Sequence, residues 1–175
     1  MRKIILSLSL LFAFVLFQNT QATAQTLKIG YVQVDSVISL MPEYKAATSK
    51  LEELQKVIQR DLQGKQQVIQ ARYAELQKQV QSMTEAQKQQ AQQEMQEKDI
   101  QYQEAEAKAE ADFNKRQNDL LFPIYAKIRE AIKEVGKENN YVLILNELDG
   151  TNSSYILYAA EGTDVTGLVI TKLAL

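Results

Sequence analysis

Ser82-Met83-Thr84-Glu85-Ala86-Gln87 contains two overlapping capping boxes, Ser82 with Glu85 and Thr84 with Gln87. A capping box satisfies the free N–H groups of a first helical turn, so a helix is expected to begin near Thr84. The segment lies at the centre of Glu43–Phe122, a stretch with one glycine, Gly64, and no proline, closed by Pro42 and Pro123. Glutamine, alanine, glutamate, lysine and leucine dominate it, and these residues lose little rotamer freedom in a helix. Proline stops or kinks a helix because it lacks an N–H and clashes with the preceding turn. The point midway between the two prolines falls between Ser82 and Met83. Folding there gives a helical hairpin with its tip near 81–85 and both prolines level at its base. Each helix then spans about 60 Å at 1.5 Å per residue.

The apolar spacing supports that register. Leu51, Leu54, Ile58, Leu62, Ile69, Tyr73, Leu76 and Val80 recur at helical intervals before the tip. Met95, Tyr102, Ala105, Ala109, Phe113 and Leu120 do so after it. Reflected about the tip, Leu51 meets Phe113, Ile58 meets the alanines, Leu62 meets Tyr102 and Ile69 meets Met95. Large residues face small ones, as interdigitated packing requires. The expectation is an antiparallel coiled-coil arm over 43–122.

Outward from the arm, 25–42 and 123–175 form a smaller body. Leu27 to Val34 reads as a strand, with Asp35 as the cap of a short helix from Ser36 to Leu40. After Pro123, the spacing of Ile124, Ile128, Ile132 and Val135 resumes a helix, which Gly136 and Asn139-Asn140 end. Tyr141–Leu145 is apolar on both faces, the pattern of a strand covered on both sides. Asp149-Gly150 marks a turn into a third strand, Tyr155–Ala159, and Asp164 caps a last short helix. A body of this size buries a low fraction of its surface. Its strands also leave edges to cover, so it is expected to oligomerise, through Ile29, Tyr31, Val32, Val34, Val142, Ile144, Tyr155 and Leu157. The fold class is therefore α+β, a long hairpin projecting from a β-containing oligomerisation body. Pro42, Gly64 and Pro123 are candidate hinges, since matched breaks at the base leave a pivot and glycine softens a helix.

Residues 1–24 read as a signal peptide: Arg2 and Lys3, an apolar run from Ile4 to Phe17, and Ala22-Thr23-Ala24 as a cleavage site. The apolar run is short for a membrane span, which needs about 20 residues. The mature chain is expected to begin at Gln25, to be periplasmic, and to touch membrane at most peripherally. Its net charge moves from -2 to -4 on losing Arg2 and Lys3.

The chain has no histidine and no cysteine, which removes the common zinc and nucleophile constellations. No glycine-rich phosphate loop is present. No basic patch with interleaved aromatics points to nucleic acid. No enzyme and no cofactor are expected.

The order strand, short helix, long hairpin, strand, strand, short helix resembles the Skp/OmpH family of periplasmic chaperones, over essentially the whole mature chain. The pieces that carry the resemblance are Lys28-Ile29-Gly30-Tyr31-Val32-Gln33-Val34-Asp35, Tyr141-Val142-Leu143-Ile144-Leu145-Asn146, and Asp164-Val165-Thr166 leading to Ile170 and Leu173. The resemblance implies a homotrimer whose strands share a common body and whose three arms enclose a cavity. It implies an ATP-independent holdase for unfolded outer-membrane proteins. Val57, Val68, Met83 and Ile100, apolar but off the seam, are the candidate client contacts. One departure concerns charge. Glu43–Phe122 carries 12 Lys/Arg against 14 Asp/Glu, whereas the resembled family is strongly basic. That balance argues against electrostatic capture and lipopolysaccharide binding. The alternative is a structural coiled-coil adaptor or tether of the cell envelope, although the chain is too short for the modules that flank adaptor hairpins.

Overall fold

A computed structural model describes residues 27–148, 153–154 and 156–175. The leader at 1–24, the Asp149-Gly150 turn and Tyr155 lie outside the described residues. The elements run β1 (Ile29–Val32), α1 (Val34–Leu40), α2 (Pro42–Gln79), α3 (Glu85–Glu138), β2 (Leu143–Asn146) and α4 (Thr166–Lys172). The chain is mostly helical with a small two-stranded sheet, an α+β fold. None of its described helices is long and apolar enough to cross a membrane.

β1 and β2 pair in parallel, from Ile29 opposite Leu143 to Val32 opposite Asn146. Parallel strands need a long crossover to return the chain to the same end. Here the crossover is the hairpin itself. α3 outruns α2 and carries the chain through the body before β2 begins, about 22 Å beyond Pro123 at 1.5 Å per residue.

The core is built where that overrun lies. Ile124, Ile128, Ala131 and Val135 form one buried face of α3, at steps of four, three and four. Against them pack Val32, Val37, Ile38, Met41, Ala47, Val165 and Val169. Each large side chain fully buried there contributes roughly 1.5–3 kcal/mol. This burial explains why α3 does not stop at Pro123, which sits inside the helix. A proline in a helix interior costs about 3 kcal/mol, less than the buried face beyond it returns. Pro42, in contrast, takes the first position of α2, where its missing N–H costs nothing. The residue before it, Met41, is held extended at φ -70°, ψ 121°, as a residue preceding proline prefers. The two prolines are therefore not matched helix breaks: Pro42 starts one helix and Pro123 is absorbed by the other.

Hydrogen bonds tie the body's distant pieces together. Thr163 and Val165 flank the free edge of β1: Tyr31 N–H donates to Thr163 O and Val165 N–H to Tyr31 O, each at 2.9 Å. Gln33 N–H donates to Thr166 Oγ1 at 3.0 Å, and Thr166 Oγ1 donates to Asp164 Oδ1 at 2.5 Å. Asp164 Oδ1 also accepts from Thr166 N–H, so the Asp164-Val165-Thr166 run fastens β1 to α4. Asn140, at φ 58°, supplies the left-handed turn after α3. Lys28 Nζ donates to Asn139 O at 3.1 Å and lies 4.1 Å from the Tyr141 ring centroid. Gly30 is needed beside that ring, because a Cβ there would meet Tyr141 Cε1 at 2.9 Å and Thr163 O at 3.1 Å.

Several sequence expectations change. Gln33, not Asp35, stands at the α1 N-cap, and Asp35 is in the first turn, where a carboxylate favours the helix dipole. Gly136 lies within α3. Residues 156–160 form no strand; before them, a Leu148–Ser154 bridge is formed among the described residues. Tyr141–Leu145 is covered on one side only, with Ile144 packed on the core while Leu143 and Leu145, on the opposite face, are 47% and 37% exposed.

Candidate functional site

The arm's local structure follows the capping chemistry at its tip. α2 ends at Gln79, and α3 begins at Glu85 behind Thr84, whose Oγ1 accepts from Gln87 N–H. Gln87 Oε1 accepts in return from Thr84 N–H at 2.8 Å. Of the two overlapping boxes, Thr84 with Gln87 is the one formed. Ser82 Oγ instead donates back to Gln79 O at 2.8 Å, closing the turn.

Along the arm the seam is only partly closed. Leu51 and Met95 are buried, while Leu54, Ile58, Leu62, Ile69, Leu76, Tyr102, Ala105, Ala109, Phe113 and Leu120 are half-buried. Tyr73 and Val80, expected in the seam, are exposed and line a groove near the tip together with the small Ala91. Polar contacts help to fix the register. Arg72 makes a two-pronged pair with Glu94, Nε to Oε1 at 3.0 Å and Nη2 to Oε2 at 2.7 Å, and also reaches Glu75 at 2.9 Å. The bond to Arg72 holds the Glu94 carboxyl below the usual carboxylate range, and Arg72 itself is pushed up. At the base, Lys127 Nζ meets Glu43 Oε1 at 2.8 Å and lowers the Glu43 pKa through that bond.

Between the helices the half-open seam leaves grooves. The tip groove, about 600 Å³, is lined by Tyr73, Leu76, Val80, Met83 and Met95 among others. A mid-arm groove of about 550 Å³ opens beside Gly64, Val68, Ile69 and Tyr102. A third, of about 310 Å³, is lined by Ile58, Leu62, Ala109 and Phe113 with Glu106 and Glu110. Among the candidate client contacts, Val57, Val68 and Ile100 are exposed and Met83 is half-buried. The structure does not gather the four into one patch. Val68 lines the mid-arm groove and Met83 the tip groove, whereas Val57 and Ile100 line neither.

A family model of outer membrane proteins (OmpH-like) matches residues 28–173, from the start of the body through the arm and back. The chain belongs to the OmpH-like family. The crystal structure of a candidate outer membrane chaperone (OmpH-like) from Caulobacter crescentus has the same fold, with a TM-score of 0.65 and 14% identity over 83% of each chain. No curated protein sequence matches the chain significantly.

In this OmpH-like chain the residues expected to join copies divide into two groups. Ile29, Val142 and Leu157 are exposed, Leu157 at 97%. Tyr31 and Ile144 are half-buried. Val32 is not available to a partner, being 2% exposed in the chain's own core. Val34 lies in α1 rather than a strand and packs on that core. Both shift because β1 ends at Val32 and α1 turns the next residues inward. Tyr155 lies outside the described residues.

Sequence reasoning missed Leu27, Tyr158 and Phe122, which are also widely exposed in the OmpH-like body and arm base. It also missed the Arg72–Glu94 pair. A usable signal existed: reflecting charges about the tip, as was done for apolar residues, sets Arg72 against Glu94 within one residue.

Proposed function

We propose that this OmpH-like protein is an ATP-independent holdase of the periplasm, exported by the leader at 1–24, that holds unfolded outer-membrane proteins. Three copies join through their bodies, 25–42 and 123–175, and their arms enclose a common cavity. Ile29, Val142 and Leu157 are placed at the joins, because they are apolar and uncovered in one chain. The observation that carries the reading is the half-open seam of an arm about 57 Å long, with grooves and isolated apolar side chains spread along it. Many weak, separated contacts hold a chain without fixing its conformation. The chaperone description of the Caulobacter crescentus structure points the same way. We assign compliance in the arm to Gly64, because glycine softens a helix and even a Cβ there would meet no neighbour within 4 Å. Val57, Val68, Met83 and Ile100 serve as dispersed client contacts.

The test is light-scattering mass together with the aggregation of a urea-denatured porin diluted into buffer, with and without ATP. A trimer that suppresses aggregation equally in both conditions supports the proposal. A monomer, or a trimer that leaves aggregation unchanged, would count against it.

A further inference from the structure

The mid-arm groove differs from its neighbours in charge. Its floor is apolar, formed by Val68, Ile69 and Tyr102, and its rim carries Arg60, Lys65 and Lys98 against the single carboxylate of Asp61. Asp61 is already engaged by Lys65 at 3.1 Å. Arg60 and Lys98 take part in no salt bridge among the described residues, and the Glu94 that feels Lys98 is itself clasped by Arg72. The groove nearer the base carries Glu106 and Glu110 and no cation, and the tip groove balances Lys88 against Asp99. Although the arm's total charge is near balance, this notch carries two positive side chains without a salt-bridge partner among the described residues, Arg60 and Lys98, against one, Lys50, at the groove at the base.

Gly64 makes the notch. Every other position on this face of α2 extends a side chain, while a Cβ built on Gly64 would meet nothing within 4 Å. Glycine inside a helix is destabilising relative to alanine, so local stability does not account for it.

We infer that the Gly64 notch is a defined subsite for one class of client segment: an extended stretch with a large apolar side chain flanked by carboxylates. The apolar side chain seats on Val68, Ile69 and Tyr102 in the space that Gly64 leaves. The carboxylates face Arg60, Lys65 and Lys98. The inference rests on the holdase reading and deepens it, by adding one chemically selective contact to otherwise dispersed ones.

The experiment uses the full mature chain and two fluorescent heptapeptides with a central phenylalanine, flanked by aspartates in one and by lysines in the other. Tighter binding of the aspartate peptide is expected. Gly64→Leu, which fills the notch, should weaken it about tenfold, as loss of one buried apolar side chain implies. Gly64→Ala, the control for helix propensity, should change it little. Arg60→Gln with Lys98→Gln should weaken the aspartate peptide about fivefold and leave the lysine peptide unchanged. Circular dichroism confirms that each variant keeps its helices. Equal binding of both peptides, or unchanged affinity in Gly64→Leu, would overturn the subsite. Porin holding in parallel separates the two readings. Holding retained without peptide preference strikes the notch alone, whereas peptide preference without holding strikes the chaperone reading.

Discussion

The body and the arm are made from one chain by opposite means. In the body, eleven buried apolar residues from β1, four helices and the flanking Met41 and Val165 close a single cluster, and Val37, Val165 and Val169 lose all exposure. In the arm, two long helices share a seam in which, beyond Ala47 where it joins the body core, Leu51 and Met95 are the buried residues. Register there is held with the help of the Arg72–Glu94 and Lys127–Glu43 pairs. The contrast shows where each property resides. Packing density gives the body its cohesion, and a loosely closed seam gives the arm reach and surface. Regions that bind are drawn from the less stable parts of a fold.

Core truncation should break the comparison most sharply if it is wrong. Ile128→Ala, in the body core, is expected to cost about 3–4 kcal/mol in chemical denaturation. Ile58→Ala, half-exposed in the arm, should cost about 1 kcal/mol. Equal losses would mean that the arm is as tightly packed as the body. Next in size is Gly30→Val, expected to cost about 3 kcal/mol by forcing the Tyr141 ring and the Thr163 carbonyl apart. Its effect should fall on near-ultraviolet tyrosine signals before arm helicity.

Thr84→Ala removes the cap from α3 and should speed amide exchange at the tip by an amount equivalent to about 1 kcal/mol, leaving body exchange unchanged. Gly64→Ala works in the other direction. It should stabilise the mid-arm by about 1 kcal/mol or slightly less; a loss of stability there would mean that the helix is not regular at this point.

The smallest effect expected is acid sensitivity of the distal arm. Glu94 has a lower pKa in the folded chain, through its bond to Arg72. Its contribution is therefore complete above the unfolded carboxylate value, about 4.3, and disappears as pH falls through the folded value. Exchange near Arg72 and Glu94, corrected for intrinsic rates, should rise relative to the body below about pH 4. Arg72→Met should abolish that difference, and a difference that persists would place the acid sensitivity elsewhere.

What the sequence disclosed depended on how local the cause was. The hairpin, its tip and the Thr84–Gln87 cap follow from spacing and from contacts a few residues apart. So does the buried face Ile124, Ile128 and Val135, which shares one helical stripe. The family resemblance, read from the order of elements, agrees with the match over 28–173. Other features depend on distant partners. Val32 and Val34 looked equivalent on one strand, yet β1 ends at Val32 and Val34 begins α1, and both pack in a core that draws many of its residues from α3 and the Val165 segment, far along the chain. The third strand expected at 155–159 does not form over the described residues 156–159, because β propensity alone does not supply a paired neighbour. Pro123 read as a kink before a resumed helix because its cost is local, while the core that offsets it is not. At the candidate site, single apolar residues such as Val68 were legible, but the Gly64 notch was not, because a groove needs both helices placed side by side.

The parallel pairing of β1 with β2 has a consequence in time. β1 is among the first folded parts of the chain to leave a ribosome or a membrane pore, and its hydrogen-bonding neighbours are the last: β2, Val165 and Thr166. More than 100 residues, most of them in the hairpin, separate Ile29 from Leu143. Closing a loop of that length early would cost chain entropy that no contact yet offsets. The hairpin, whose contacts are nearer in sequence, can zip first and shorten the effective gap. The core then closes only once the C-terminal helix has emerged. A chain built this way stays unlocked until Val165 and α4 are available to close the core.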